Sequence, residues 1–280
     1  MKKLLLILFS LYLLFSCNDG IKEKLSDGDT DIFIYETYEY TDLIPAITSV
    51  NDFLKELESV KNEADEKIEE ALVSNNELDL EENSLLSELS SDSALTDTSS
   101  LTFEQFASEN PFYAVLIPSL DQNNQPLQGP ACGFAAVKDT AKVNSILAMS
   151  EVKNLFPRDI HFAWTVKPYD KEGKFVQLIA LRLNKEMQGF NISNASDEIS
   201  QYSNLPQVSI SIGQDGTKEF EKFTTQNIGR SIALVIDGFV FSFPTVVFGI
   251  SEGRFFITGN FSLNEVKELV KKIHSRKVYF

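Results

Sequence analysis

Two short runs of β-branched and aromatic residues, 231–236 and 239–243, are separated by nothing but Asp237 and Gly238. Few local patterns restrict a chain as tightly. An Asp-Gly pair between two such runs fits a two-residue hairpin, because both turn positions need positive φ. Pro244 has no N–H for a ladder and should end the second strand. Gly253, a third apolar run at 254–258 and Gly259 follow, so the pattern predicts a three-stranded meander. Ser262-Leu-Asn-Glu265 is then a capping box, a hydroxyl at the N-cap with a carboxylate three residues on. Leu263, Val266, Leu269, Val270 and Ile273 recur at helical spacing. The expected unit is a meander feeding an amphipathic helix.

Charge narrows the function classes. The 280 residues carry a net charge of −16, and residues 56–109 alone hold 16 acidic and two basic side chains, a net of −14. No basic footprint exists to release phosphate counterions, which argues against nucleic acid as a partner. Apolar residues make up 43% of the chain, enough for a sizeable core in one or two domains.

The N-terminus reads as a secretory signal over residues 1–16, with Lys2 and Lys3 ahead of an apolar stretch at 4–15 that is short for a bilayer span. Leu14-Phe15-Ser16-Cys17 resembles a bacterial lipobox, which makes Cys17 the expected site of lipidation (palmitate and related acyl chains). An ordinary signal peptide with an incidental cysteine is the other reading. Residues 17–30 are polar and suit a tether, holding a lipoprotein to a membrane of the cell envelope and facing the periplasm.

Residues 32–38 have strand composition, and residues 45–68 place Val50, Phe53, Leu54, Leu57, Val60, Ala64 and Ile68 near one helical face. Residues 69–100 are acidic and Ser/Asn-rich without Gly, Pro or aromatics, and are expected to form a flexible linker. Beyond it, a short helix at 101–107 precedes strands at 112–117, 133–137, 175–183 and 208–212. A helix at 139–149, a turn at Asp215-Gly216 and a helix at 217–227 complete the set.

The words themselves say more. The run N-x-G-R-x-I-A-x-V-x-D-G-x-V-x-S-x-P from Asn227 to Pro244, and G-x-x-x-I-T-G-N-F-S-x-x-E from Gly253 to Glu265, resemble the head of the first periplasmic domain of SecD, the accessory subunit of the Sec protein translocase. So do the string Val137-Lys-Asp-Thr-Ala-Lys-Val-Asn144, the string Leu155-Phe-Pro-Arg-Asp-Ile160, and Phe162, Trp164 and Lys167-Pro168, in a spelling similar to the fused SecDF of Bacteroidetes. The resemblance implies an α+β fold: an antiparallel sheet with flanking helices as head, plus part of a ferredoxin-like base. It places a base strand and helix at 31–68, a head at 101–261, and a C-terminal helix returning to the base at 262–280. Residues 189–198 would be the turn and short helix ahead of the head sheet. The half of the base that precedes Ile32 in the family is not present in this sequence, which leaves an incomplete base with an open sheet edge. Nor is a membrane-embedded segment with charged residues expected, so proton-driven transport by this chain alone is not.

For chemistry, Cys132 lacks a disulfide partner once Cys17 is lipidated, and only His161 and His274 could act as its base. Two histidines and one cysteine at unrelated spacings form no recognisable zinc site, and no cofactor is implied. Asp237 is accounted for by its turn. The expectation is a protein without enzymatic activity. Its 22 phenylalanines exceed what one core face needs, so Phe239, Phe241 and Phe248 are the expected contacts for an extended apolar client or a partner. By the resemblance those partners are Sec translocase components or unfolded exported proteins. The alternative is an envelope lipoprotein that kept the fold and recognises another ligand or protein.

Overall fold

A computed structural model describes residues 31–74, 106–107, 109–184, 187–274 and 276–280. The signal, the tether with Cys17, and the acidic stretch from 75 to 100 lie outside them, as does most of the helix expected at 101–107.

Strand β1 (Ile32–Thr37) alternates buried and half-buried residues and runs through the middle of the molecule. It pairs antiparallel with β8 (Ile232–Ile236) along one side. On its other side it meets β11 (Lys277–Tyr279) in parallel at Ile32–Phe33, then β5 (Phe175–Arg182) antiparallel at Glu36–Thr37. The open edge expected of the base is therefore not at β1, which is flanked on both sides. Helix α1 (Tyr40–Ser74) begins a turn before Pro45, and the N–H of Tyr40 is taken up by the Gly129 carbonyl (2.8 Å). Tyr40, Leu43, Ile47, Val50 and Leu54 form its buried stripe. Leu57 and Val60, expected on that stripe, are exposed.

α1 covers a core shared with β3 (Ala131–Ala136), α2 (Thr140–Leu147), α3 (Ser150–Lys153), β4 (Ile160–Trp164) and one face of β5. Residues 112–117 are not the strand expected there. They form helical turns, with the amides of Ala114 and Leu116 bonded to Asn110 and Phe112, and only Ile117–Pro118 (β2) pairs with β3. The buried Asn51 of α1 accepts the Phe112 N–H (3.1 Å) and holds the turns against the helix.

The predicted hairpin is present. β8 and β9 (Phe239–Ser242) are joined by Asp237 (φ 51°) and Gly238 (φ 79°), the left-handed pair of a type I′ turn. β9 continues the pairing, because Val166, just past β4, donates to the Val240 carbonyl (2.9 Å). β4 pairs with β5, so β1, β8, β9, β4 and β5 close a ring of strands around Ala163, Ile179, Leu181, Ala233, Val235 and Val240.

Beyond β11, the sheet extends through β6 (Gly189–Ile199), β7 (Pro206–Ile212) and β10 (Arg254–Ile257). Two expectations fail here. Residues 189–198 are a long strand, held by β7 on one side and β11 on the other, and not a turn and helix. The third run of the meander, β10, leaves the hairpin and pairs with β7. Asp215-Gly216 is also no turn, but the first turn of α4 (Gln214–Gln226). The capping box is formed in full: the Ser262 side chain accepts from the Glu265 N–H, and Glu265 accepts from the Ser262 N–H, opening α5 (Leu263–Ile273). α4 and α5 bury Phe220, Val266, Leu269 and Ile273 in a core with β6, β7, β10 and the outer face of β8. Among the described residues the laddered strand pairs are antiparallel except β1 with β11, and the Thr165–Val240 bridge that joins the end of β4 to β9 is also parallel.

Candidate functional site

The three phenylalanines expected at a contact surface have different fates. Phe241 is buried (6% exposed) and stacks on Phe261 at 6.0 Å between centroids. A register shift opposite Leu234 and Val235 puts Phe241 in a bulge and turns its ring inward, so it cannot meet a client. Phe239 is half-buried between two of the cores. Phe248 is 69% exposed.

Phe248 sits on a loop between β9 and β10 that is tied down at both ends. The Val246 N–H donates to Arg230 (2.9 Å), the Val246 carbonyl accepts from Gly229 (2.8 Å), and the Ile250 N–H donates to the Thr224 hydroxyl (2.9 Å). Between these anchors Val247 (76% exposed) and Phe248 are held out in solvent. The loop forms one wall of a groove of 720 Å³. Phe220, Phe255, Ile34, Ile232 and Leu234 make the floor, and Arg254, Phe256 and Thr258 the other wall. It is mostly apolar, open and large enough for several side chains. Sequence reasoning found Phe248 and missed Val247 and the β10 wall. The available signal was the apolar triplet Val246-Val247-Phe248 after a proline that ends the strand, with no periodicity that would bury it.

Elsewhere, Cys132 is buried in the α1 core and points its thiol at the Pro130 carbonyl (3.8 Å). Burial pushes that thiol up to about 12, so it stays protonated at neutral pH. His161 and His274 are exposed, on β4 and at the end of α5, and neither shares the buried environment of the thiol. Burial also raises the Asp237 carboxyl, against the charge of Lys272. Asp237 and His161 border a second groove, of 790 Å³, beside Lys153 and Arg158, between β4 and the start of β9.

Two charge networks brace the scaffold. Tyr38 donates to Asp159 (2.6 Å), Arg182 lies between Glu36 (3.7 Å) and Asp159 (3.8 Å), and its guanidinium covers the Tyr38 ring at 4.4 Å. The Tyr38 hydrogen bond, with Arg182 in support, holds Asp159 below its ordinary value despite partial burial. Lys167 donates to Glu265 and lies 5.6 Å from the centre of the Phe261 ring. Burial alone would raise Glu265, but hydrogen bonds from Lys167 and Ser262 and the Lys167 charge outweigh it and lower the carboxyl. Among the described residues, no group of three His, Cys, Asp or Glu side chains is placed to hold a metal ion. No described helix is long and apolar enough to cross a membrane.

The family model of the SecDF P1 head subdomain matches residues 165–276, which contain every groove residue named above except Ile34. The protein translocase subunit SecD of Rhodothermus marinus is 35% identical over 193 residues, 66% of this chain and 30% of that protein. SecD of Calditerrivibrio nitroreducens is 36% identical over 106 residues, 37% of this chain and 20% of the relative. SecDF of Thermus thermophilus is 34% identical over 89 residues, 32% of this chain and 12% of the relative. The chain thus spans less than a third of the length of these relatives. A solved structure described as a membrane component SecDF that enhances protein export is 28% identical, covers 49% of this chain and 56% of its own, and has a TM-score of 0.30.

Proposed function

We propose that the protein, whose residues 165–276 match the P1 head subdomain of SecDF, is a non-enzymatic accessory of Sec-dependent translocation that binds unfolded exported chains or the translocase itself. The observation that carries the reading is the apolar groove with Val247 and Phe248 held out beside it. Solvated apolar side chains on a braced loop cost free energy unless a partner covers them. The buried, protonated Cys132, remote in kind from the exposed histidines, supports a role in binding rather than covalent chemistry.

Cys17 anchors the chain by acylation, with the body facing the periplasm. Cys17→Ser should abolish palmitate labelling and move the protein out of the membrane fraction. Retention of both label and membrane association would sink the anchor. For the client, a photo-crosslinking residue is placed at Val247 or Phe248 in cells, with buried Phe241 as the silent position. Crosslinks to translocase subunits or nascent exported chains are the expected result. Crosslinks confined to envelope proteins unrelated to export would transfer the assignment to the alternative, an envelope lipoprotein that uses the same groove for another partner.

A further inference from the structure

Among the described residues β10 has a neighbouring strand on one side only, β7. One hydrogen bond fixes how its backbone is turned. The Ile212 N–H donates to the Gly253 carbonyl (2.9 Å), so Gly253 directs its polar groups toward β7. In an antiparallel strand the N–H and C=O of a residue face the same side, and successive residues alternate. Phe255 and Ile257 therefore face β7 as well, and Arg254 and Phe256 direct their N–H and C=O outward. That outward edge is a wall of the groove. The groove thus offers a ladder of backbone donors and acceptors beside an apolar floor.

We propose that the groove takes its occupant as an added β-strand. An extended stretch of unfolded polypeptide pairs with Arg254 and Phe256 and sets alternate apolar side chains over Phe220 and Phe255. It also brings a cationic residue to Glu252. This deepens the client-binding reading above and rests on it. Backbone pairing tolerates many sequences, as a receptor for diverse unfolded chains requires, while the floor selects every second side chain. The edge covers the four residues Arg254–Ile257, so the occupant contributes about four or five residues at roughly 3.4 Å each. Charge gives the polarity. Arg254 is already committed to Glu198 (3.0 Å) and Ser209 (2.9 Å). Glu252 is exposed on the groove lining and has no ion pair among the described residues, so the local excess is negative. Exposed edges also invite self-pairing, which makes a second copy of this chain the competing occupant.

The probe is an eight-residue peptide of alternating valine and threonine with one terminal lysine, added to the full chain and followed by binding and amide hydrogen exchange. Exchange at the Arg254 and Phe256 amides is expected to slow. N-methylation of alternate peptide residues should weaken binding by at least about tenfold in one register and little in the other, the loss of one or two hydrogen bonds. Glu252→Lys should weaken the lysine peptide more than a neutral analogue. If Phe248→Asp removes binding while N-methylation in either register leaves it unchanged, strand addition is overturned and the groove reading stands. Absence of any binding to the wild-type chain overturns both. Slowing of the same amides with rising protein concentration, without peptide, overturns a peptide as the occupant in favour of a second copy.

Discussion

Gly216 shows which of two opposed effects governs a single position. It lies in the first turn of α4, where alanine would improve helix propensity by about 1 kcal/mol. A Cβ there would sit 2.6 Å from Ile212 Cγ2 and 2.6 Å from Phe190 Cγ. Phe190 cannot yield easily, because it stacks on Phe280 (5.0 Å), which in turn meets Phe220 edge-on (5.1 Å). Overpacking of this kind costs about 1–3 kcal/mol and should prevail. Gly216→Ala is therefore expected to lower stability by about 1 kcal/mol net, read from the urea midpoint at unchanged slope. A rise in the midpoint would mean that the helix can shift off Phe190. The Asp215-Gly216 pair has the composition of a turn, yet here Gly is required by close packing. At 237–238 the identical pair does make the turn, because apolar runs flank it on both sides.

At the scale of elements, α5 joins local capping to a long-range ion pair. Ser262 and Glu265 form the box, and Lys167, from the chain just past β4, binds the same carboxylate. With the folded value of Glu265 depressed below 4.5, its ionised form contributes stability above about pH 4.5, and that contribution is lost as pH falls through the lower folded value. Glu265→Gln keeps an acceptor for the box and removes the charge. It should cost about 1–2 kcal/mol at pH 7, toward the low end of the roughly 1.5–3 kcal/mol of a hydrogen bond to a charged group because the pair is partly solvated, with the difference from wild type vanishing in acid. Parallel denaturation curves at pH 7 and pH 3 check this, and an equal gap at both values would contradict it. The hairpin and this box were legible because their determinants lie within four residues of one another. β6 was not. Asn191, Ser193, Asn194, Ser196, Asp197 and Glu198 have weak strand preference, and their conformation comes from pairing with β7 and β11, including residues more than 80 positions away. The same non-local competition took β10 from the hairpin to β7 and so created the groove's second wall. Phe248 could be read as exposed from sequence, but the edge facing it could not.

For the whole molecule, β1 decides how the parts are coupled. Its outer face contributes Ile32 and Ile34 to the core under α4 and α5, while Phe33 and Tyr35 pack on the ring interior. The Thr37 hydroxyl donates to the Ser231 carbonyl (2.7 Å), and Glu36 bridges toward Arg182 and Asn227 (3.3 Å). A strand that supplies two cores and pairs with β5, β8 and β11 cannot leave without exposing both, so the chain should unfold as one cooperative unit. Trp164, the single tryptophan, reports on the α1 core, where its indole N–H donates to Asn144 (2.9 Å). The α1 core is tied to β1 through β5, which faces both that core and the ring interior. Amide exchange along β7 reports on the core under α4 and α5, more than 40 residues away in sequence. Fluorescence and exchange protection should give the same unfolding midpoint in urea. Two separated midpoints would show that the α1 side and the groove-bearing side melt independently. The groove would then be carried by a unit that survives the loss of α1, and client binding should persist into the first transition. Coincident midpoints would require α1 and β1 to be intact for the groove to exist at all, although Ile34 is the sole groove residue that lies ahead of residue 165.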